Sequence, residues 1–303
     1  MAQLRVGYLG PEGSFSHEAV STLRGVTAVA YDSFADLLAA VAAATLDQCV
    51  VPLENAIEGT VSATIDGLVF DHDLVIEREI VIPIRLHLLV RPGVSLEDVT
   101  VVRSYSHALA QCREFLHSIG VTTQQAASTS QAAREVAESD QPIAAVASSM
   151  AAQLFGLRVL VSEIEDHPGN VTRFVVVGRD QVSKPTGHDR TTIVCFQDAD
   201  RPGSLFAILG RFAARDINLT KLESRPTKRG LGDYCFVIEF EGHVADDVVS
   251  DCLVDLQSHL ARVKFLGSYP VTGERASGRR ESVARARQAA NEWIRAIRAR
   301  IVS

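Results

Sequence analysis

The chain has 303 residues, of which 47% are hydrophobic, and carries a formal net charge of -7. That length and apolar content allow two ordinary domains or one large α/β unit and exclude wholesale disorder, while the acidic balance argues against a general nucleic-acid surface. Five scattered cysteines form no C-x-x-C pair, the N-terminus lacks the long apolar core of a signal peptide, and no apolar run approaches a membrane span, so a soluble cytosolic protein with reduced thiols is expected.

Strand and helix signals alternate from the start. "LRVGYL" (4–9) reads as a strand ended by Gly10-Pro11, and "SHEAVSTLR" (16–24) as a helix that Ser14 or Ser16 caps. "VTAVAY" is a strand, "SFADLLAAVAAAT" a helix capped at Ser33, "CVVPL" a strand and "VSATIDGLVF" a helix. Alternation of this kind predicts a mostly parallel sheet covered by helices. "LVIEREIVIPIRLHLLV" (74–90) is a long β-rich run that Pro83 interrupts, which predicts a bend or a change of sheet. A second alternating set follows: "VTVVRS", "HALAQCREFLHSI", "VTTQQ", "TSQAAREVAES", "IAAVAS" and "SMAAQLFG", the last stopping at Gly156, before the strands "LRVLVSEI" and "TRFVVVG". Two similar lobes joined by long strands are expected, with a cleft for a small ligand between them.

The polar stretch "DQVSKPTGHD" (180–189) reads as a linker. Beyond it "RTTIVCFQ", "GSLFAILGRFAARD", "INLTKLESRP", "DYCFVIEFEG", "ADDVVSDCLVDLQSH" and "ARVKFLGSYP" give the β-α-β-β-α-β order of a ferredoxin-like module. From Gly273 the chain is Arg-rich, and Trp293, Ile297 and Ile301 at i, i+4 spacing predict an amphipathic helix packed on its own domain or on a sister chain.

Four segments place polar residues where the strands of the lobes end. In "GPEGSFSHEA" (10–19), Gly10 and Gly13 permit a tight turn into a helix whose free N–H groups can receive an anion; the segment reads equally as a plain βα turn. In "VPLENAIEGTV" (51–61), Glu54 and Asn55 lie between a strand and a helix, as a carboxylate and amide able to orient a hydroxyl or as a capped loop. His107 in "SYSHALAQC" stands at a helix start, where a histidine is more often structural than catalytic. Thr172 and Arg173 open the apolar run "TRFVVVG", a hydroxyl able to donate to a leaving oxygen beside a planar fork that suits a carboxylate. Together the four describe a cleft for a small carboxylic acid.

The motifs "GPEGSFSHEA", "VPLENAIEGTV", "STSQAA" (from Ser128) and "NVTRFVVVG" resemble the motif series of prephenate dehydratases. "PGSLFAILGRFAARDINLTKLESRPTK" with "YCFVIEFEGH" resembles the ACT regulatory domain joined to them. The resemblance runs from residue 4 to about 269. It implies an α/β fold with a two-lobed catalytic domain like periplasmic binding proteins over 1–180 (lobe one about 1–78 plus 157–180, lobe two about 79–156), a linker at 181–189, a ferredoxin-like ACT domain at 190–270 and an Arg-rich tail at 271–303. It also implies conversion of prephenate to phenylpyruvate, water and carbon dioxide without metal or cofactor, regulation by phenylalanine, and a homodimer or homotetramer with no nucleic-acid or membrane partner. Thr172, Glu54 and Asn55 then take the catalytic positions, and Arg173, Gly13, Ser14, His107 and Ser128 the substrate-binding ones. Gly203, Ser204 and Leu205, with Glu223, Ser224, Arg225 and Pro226, take the effector positions.

The chain departs from the family pattern at several places. Ala56 replaces a serine, Tyr105 and His107 stand where His and Gln are usual, Ser149 replaces a glutamate that would face Glu54, and Ser204 replaces an alanine. Two other readings stay open: arogenate dehydration, and a catalytically idle amino-acid sensor.

Overall fold

The computed structural model describes residues 3–197, 201–228, 230, 232–272, 292–296 and 298–300. Contacts divide the chain into two compact units, Met1–Val182 and Ser183–Ser303.

The first unit holds two sheets. The strands of the first are β1 (Leu4–Leu9), β2 (Val26–Tyr31), β3 (Gln48–Asn55), the short β4 (Gly59–Thr60), β5 (Val75–Pro83) and β11 (Val171–Gly178), in the order β2-β1-β3-β11-β5 with β4 paired to β3. The second contains β6 (His87–Val90), β7 (Val101–Ser104), β8 (Thr122–Gln125), β9 (Ala144–Ala147) and β10 (Arg158–Val161), in the order β10-β6-β9-β7-β8. Helices α1 (Phe15–Ser21), α2 (Phe34–Ala42) and α3 (Ser62–Asp66) belong to the first lobe; α4 (Ser106–Gln111), α5 (Arg113–Ser118), α6 (Thr129–Glu138) and α7 (Ser149–Phe155) belong to the second. The β1–β2, β1–β3, β7–β8 and β7–β9 pairs are parallel, as alternating strands and helices dictate. The late strand β11 runs antiparallel between β3 and β5.

Local rules account for most of the boundaries. Ser14 and Ser33 accept from the backbone three residues on, His17 N at 3.2 Å and Asp36 N at 3.1 Å, and so cap α1 and α2. Gly156 ends α7 in the left-handed conformation. The expected single helix over "HALAQCREFLHSI" is instead two, α4 and α5, broken at Cys112. The helix expected over "VSATIDGLVF" starts at Ser62, after β3 has turned back through β4.

The strands also fall differently from the expected lobe division at 78/79 and 156/157. The run before Pro83 stays in the first sheet, held to β11 as far as the Val171–Pro83 pair, and 158–161 pairs with β6 in the second. Pro83 is where the chain changes sheet, since a proline cannot donate to a ladder. The chain therefore crosses between lobes at 84–86 and returns at 162–170, and these crossings are laced together. Ile84 N donates to Asn170 O (2.8 Å) and Ile164 N to Leu86 O (2.8 Å). The buried Glu165 carboxylate accepts from Leu86 N (3.0 Å) and Arg85 Nη1 (3.1 Å), and His87 Nδ1 accepts from Glu163 N (3.0 Å). One apolar cluster, including Val6, Tyr8, Val50, Ile80, Ile82 and Phe174 from the first sheet and Leu88, Val102 and Val146 from the second, runs through both lobes.

The second unit is a four-stranded antiparallel sheet of β12 (Asp189–Phe196), β13 (Leu219–Pro226), β14 (Tyr234–Glu241) and β15 (Arg262–Pro270), in the order β13-β14-β12-β15. Helices α8 (Ser204–Ala213) and α9 (Asp247–His259) cover one face around Ile193, Ile208, Phe212, Ile238, Phe240 and Leu256. This is the ferredoxin-like order expected from the alternation of its elements. The end of the expected linker is a built turn: the buried Asp189 carboxylate accepts from Thr186 N (2.8 Å), Thr186 Oγ1 (2.8 Å) and Gly187 N (2.9 Å). In the tail, 292–296 is helical and Trp293 is exposed; residues 273–291, Ile297 and Ile301 lie outside the described residues.

Candidate active site

The register of β3 against β11 decides how the expected residues combine. Asn55 stands opposite Thr172 and Glu54 opposite Arg173. Successive side chains on a strand point to opposite faces. The four residues that the sequence gathers into one cluster therefore form two pairs, one on each face of the sheet.

On the first face Asn55 Nδ2 donates to Thr172 Oγ1 (2.9 Å) and to Asn170 Oδ1 (3.0 Å). Its carbonyl oxygen accepts from Ile57 N (2.9 Å) and Glu58 N (3.0 Å). Because backbone N–H groups can only donate, the amide has one possible orientation. Thr172, which is buried, uses its oxygen as an acceptor for Asn55. The bonds continue: Asn170 Nδ2 donates to Gln111 Oε1 (3.2 Å), and Gln111 Nε2 to Glu58 Oε1 (3.1 Å). His107 Nδ1 lies 2.7 Å from the same carboxylate oxygen and stacks on Tyr105 with ring centroids 5.2 Å apart. His107 is thus brought to the site, through Glu58 rather than directly.

On the second face Arg173 is enclosed by carboxylates. Its Nη2 lies 2.8 Å from Glu54 Oε2 and its Nη1 3.5 Å from Glu79 Oε2. The side chains of Arg173 and Glu79 are 11% and 2% exposed, while that of Glu54 is 37% exposed and reaches water. Arg173, expected to hold a substrate carboxylate beside Thr172, is here paired with Glu54 and Glu79. The guanidinium faces away from Thr172 and neutralises charges of its own sheet, because alternation along β11 forbids both side chains from sharing one face. Ser149, which stands where a glutamate was expected to meet Glu54, is exposed at the start of α7, and the partner of Glu54 is Arg173.

The turn after β1 is used to join the lobes. Gly13 has φ +82°, and a Cβ there would lie 2.8 Å from Ser130 Oγ and 3.3 Å from Ala151 Cα, so only glycine lets the turn lie this close to α6 and α7. Ser148 Oγ donates to Gly13 O (3.2 Å), Ser130 Oγ donates to Glu12 O, and Gly13 N donates to His17 Nδ1 (3.0 Å). The His17 ring stacks on Tyr8 at 4.9 Å, and burial together with the nearby Glu12 pushes the Tyr8 phenol up to about 12. Ser14 accepts from His17 N while donating to Leu9 O (3.2 Å), and Ser128 caps α6 by accepting from Gln131 N (3.0 Å). Glu58, Gln111 and Asn170 were missed by sequence reasoning. The i, i+4 spacing of His107 and Gln111 on one helix face was the signal available for one of them.

In the second unit Gly203 has φ +88° at the start of α8, with no atom within 4 Å of a Cβ built on it. Ser204 Oγ donates to Arg201 O (2.7 Å) and Leu205 is half-buried in the same first turn. On the edge strand β13, Glu223 binds Arg225 Nη1 (2.7 Å), and Lys221 Nζ lies 3.6 Å from Glu223. Ser224, opposite Phe236, lies on the helix side of the sheet and Glu223 and Arg225 on the other, with Pro226 at the strand end. No helix among the described residues is long and apolar enough to cross a membrane, and none of the His, Cys, Asp and Glu among them gather in threes that could hold a metal ion.

Two family models match the chain, "Prephenate dehydratase" over residues 6–182 and "ACT domain" over residues 191–256. The chain is 38% identical over 282 residues to the prephenate dehydratase of Bacillus subtilis (strain 168), covering 88% of this chain and 98% of that one. A solved prephenate dehydratase from Arthrobacter aurescens in complex with L-Phe is similar at TM-score 0.87 and 35% identity, covering 97% of this chain and 99% of that one. GqqA, which bears the description of a novel type of quorum quenching acylase, is similar at TM-score 0.81 and 29% identity, covering 88% and 98%.

Proposed function

The chain belongs to the prephenate dehydratase family, and from that premise we propose how its residues carry out the decarboxylating dehydration of prephenate to phenylpyruvate. Prephenate bears two carboxylates and a ring hydroxyl. When the ring carboxylate leaves as carbon dioxide, its bonding electron pair enters the ring and expels the hydroxyl, which departs as water once protonated. Aromatisation drives the reaction, and the poor leaving group is its difficulty. A donor aimed at the departing oxygen is therefore the most valuable group a protein can supply.

Thr172 is that donor. The observation that carries the assignment is the one-way hydrogen bond from Asn55 Nδ2 to Thr172 Oγ1, which leaves the threonine proton for the substrate. Asn55 orients the hydroxyl. Glu54 faces the other side of the sheet and reaches solvent, so its part is to hold Arg173 and not to meet the leaving oxygen. Gly13, Ser14 and Ser128 shape the cleft by fixing the turn and the helix starts that wall it, and His107 does so through Glu58. The net charge of -7 and the buried cysteines support a cytosolic enzyme working on a small metabolite.

The ACT domain makes the enzyme phenylalanine-regulated. The open left-handed turn at Gly203 allows close backbone approach to an amino acid, and Ser204, Leu205 and the 223–226 strand end are the effector positions. Exposed Phe206, Leu222 and Tyr234 support association with a second copy of the chain, as a homodimer or homotetramer. Phenylalanine and prephenate then oppose each other through linkage.

The test is turnover of prephenate by the purified chain, read as phenylpyruvate absorbance in alkali, with and without phenylalanine. Arogenate is run in parallel, and so is hydrolysis of an N-acyl substrate, given the description attached to GqqA. Thr172→Ala is expected to abolish most prephenate turnover and Thr172→Ser to restore much of it. Full activity in Thr172→Ala would remove the threonine from its role. Phenylalanine binding by calorimetry with no turnover of either acid would mark the chain as a sensor.

A further inference from the structure

We propose that residues 179–183, gripped at one end by the first unit and at the other by the second, form the tether that carries the phenylalanine state of the ACT domain to the strand bearing Thr172. His243 is the grip on the regulatory side. The inference rests on the phenylalanine regulation described above, and it gives the expected linker a mechanical part.

His243 lies in the turn between β14 and α9 and is 3% exposed. Its Nδ1 accepts from Ala245 N (3.0 Å). A backbone N–H can only donate, so the ring proton sits on Nε2. That proton is donated to Ser183 O (2.8 Å), at the first residue of the second unit. His243 N donates to Asp246 Oδ2 (2.8 Å), so the ring stands on a corner that is fixed independently of the linker. Further along, the Asp189 carboxylate holds Thr186 N and Gly187 N. An apolar side chain would fill this buried space as well. An imidazole with both nitrogens committed to backbone groups fixes a position instead, and the position it fixes is that of Ser183.

The first unit holds the chain on its own side. β11 ends at Gly178, and the next residue, Arg179, donates from Nη1 to Val41 O (3.2 Å) and Leu46 O (2.8 Å), in and just beyond the last turn of α2. Asp180, Gln181 and Val182 alone separate the two grips. The Cα–Cα steps from Arg179 to Ser183 span at most about 15 Å when fully extended. A displacement of the His243 corner is therefore taken up within these few residues or passed to β11. That strand is the one whose ladder to β3 sets Thr172 opposite Asn55. Coupling between two sites needs a physical element that both of them bias, and the covalent path from the ACT corner to the Thr172 strand is short and held at both ends.

The experiment uses the full-length protein, with prephenate turnover titrated against phenylalanine and phenylalanine binding followed by calorimetry. In the parent, phenylalanine should change kcat/KM for prephenate by about 5-fold or more, the lower end of ordinary allosteric coupling. His243→Asn can still accept from Ala245 N, but its amide is too short to reach Ser183 O. It should keep the parent rate without phenylalanine and bind phenylalanine within about 3-fold of the parent, while the response of turnover falls below about 2-fold. His243→Gln, whose longer amide can donate to Ser183 O, should keep most of the response. Two glycines inserted between Val182 and Ser183 lengthen the tether without touching either grip, and should silence the response as His243→Asn does. A merely structural histidine predicts something else: the response fails only where phenylalanine binding fails, and the inserted glycines change nothing. A parent-sized response in His243→Asn, or in the insertion variant, would overturn the inference. If His243→Asn no longer binds phenylalanine, the insertion variant decides by the same readout. A parent that binds phenylalanine without any change in turnover removes the regulation itself; a responding parent matched by both variants removes the tether alone.

Discussion

The two faces of β11 solve different problems with adjacent residues. On the Thr172 face every contact around the hydroxyl is between neutral groups, and the arrangement is specific because amides have a fixed sense. On the Arg173 face the contacts are ionic, and a nearly inaccessible Glu79 lies 3.5 Å from a guanidinium. Neutral hydrogen bonds contribute little net stability but direct protons well. A buried ion pair directs nothing, yet breaking one partner is costly. The comparison teaches that chemistry and stability are separated by one residue and one turn of a strand, and it predicts that substitutions on the two faces fail in different ways.

The largest effect belongs to the hydroxyl. Thr172→Ala should reduce kcat by about 10²–10⁴-fold, the range for a positioned proton-handling group, with the fold intact by circular dichroism. Arg173→Met should show the opposite profile. It removes the guanidinium beside the buried Glu79 and should cost about 3–5 kcal/mol of stability in denaturant titration. Adding Glu79→Gln should return part of that loss, since the pair is then removed together. If Arg173→Lys instead kept the stability and raised KM for prephenate, the guanidinium would be a substrate contact after all and the division between faces would collapse.

Asn55→Asp sharpens the same line. The aspartate still accepts from Ile57 N and Glu58 N but has no N–H for Thr172, so kcat should fall about 10- to 100-fold with little change in melting temperature. Gly13→Ala tests the contact between the lobes rather than either face. An alanine at φ +82° with its Cβ 2.8 Å from Ser130 Oγ should cost about 1–2 kcal/mol.

These distinctions show where the sequence was legible. The order of strands and helices, the ferredoxin-like second unit and the helix stop at Gly156 follow from local periodicity and turn chemistry, and the structure reproduces them. The pairing of β11 with β3 does not follow, because residues 55 and 172 are brought together only by the late return of the chain. Reading "TR" and "EN" as two-residue clusters ignored the alternation that splits each of them. Three of the strand-end motifs contain residues that one hydrogen-bond network joins, Asn55, Thr172 and, through Glu58, His107. They said nothing of Gln111 and Asn170, whose bonds in that network are a property of three dimensions. The lobe boundary was misplaced for a similar reason: Pro83 announced a change of sheet, but only the ladder to Val171 shows on which side of it the strand belongs.

Both faces of β11 hang from the same pair of crossings, and acid should loosen that support. Burial holds the His87 imidazole below its ordinary value of 6.5, against the smaller opposing influence of Glu165 and Glu163, with Arg85 acting in the same direction as burial. The folded protein keeps this ring neutral, with Nδ1 accepting from Glu163 N. The unfolded chain protonates first as pH drops through 6.5, so stability falls from that point and stops falling once pH passes the lowered folded value. Melting temperatures measured from about pH 7.5 to about pH 5 should therefore decline, and His87→Gln, whose amide oxygen can accept from Glu163 N without titrating, should flatten the decline. Because the hinge carries the Asn170 segment as well as β5, the acid loss should lower kcat along with stability in the parent and spare both in His87→Gln. A parent enzyme whose melting temperature fell while kcat held would mean that the hinge supports the ionic face alone, which would extend the division between the two faces down to their common root.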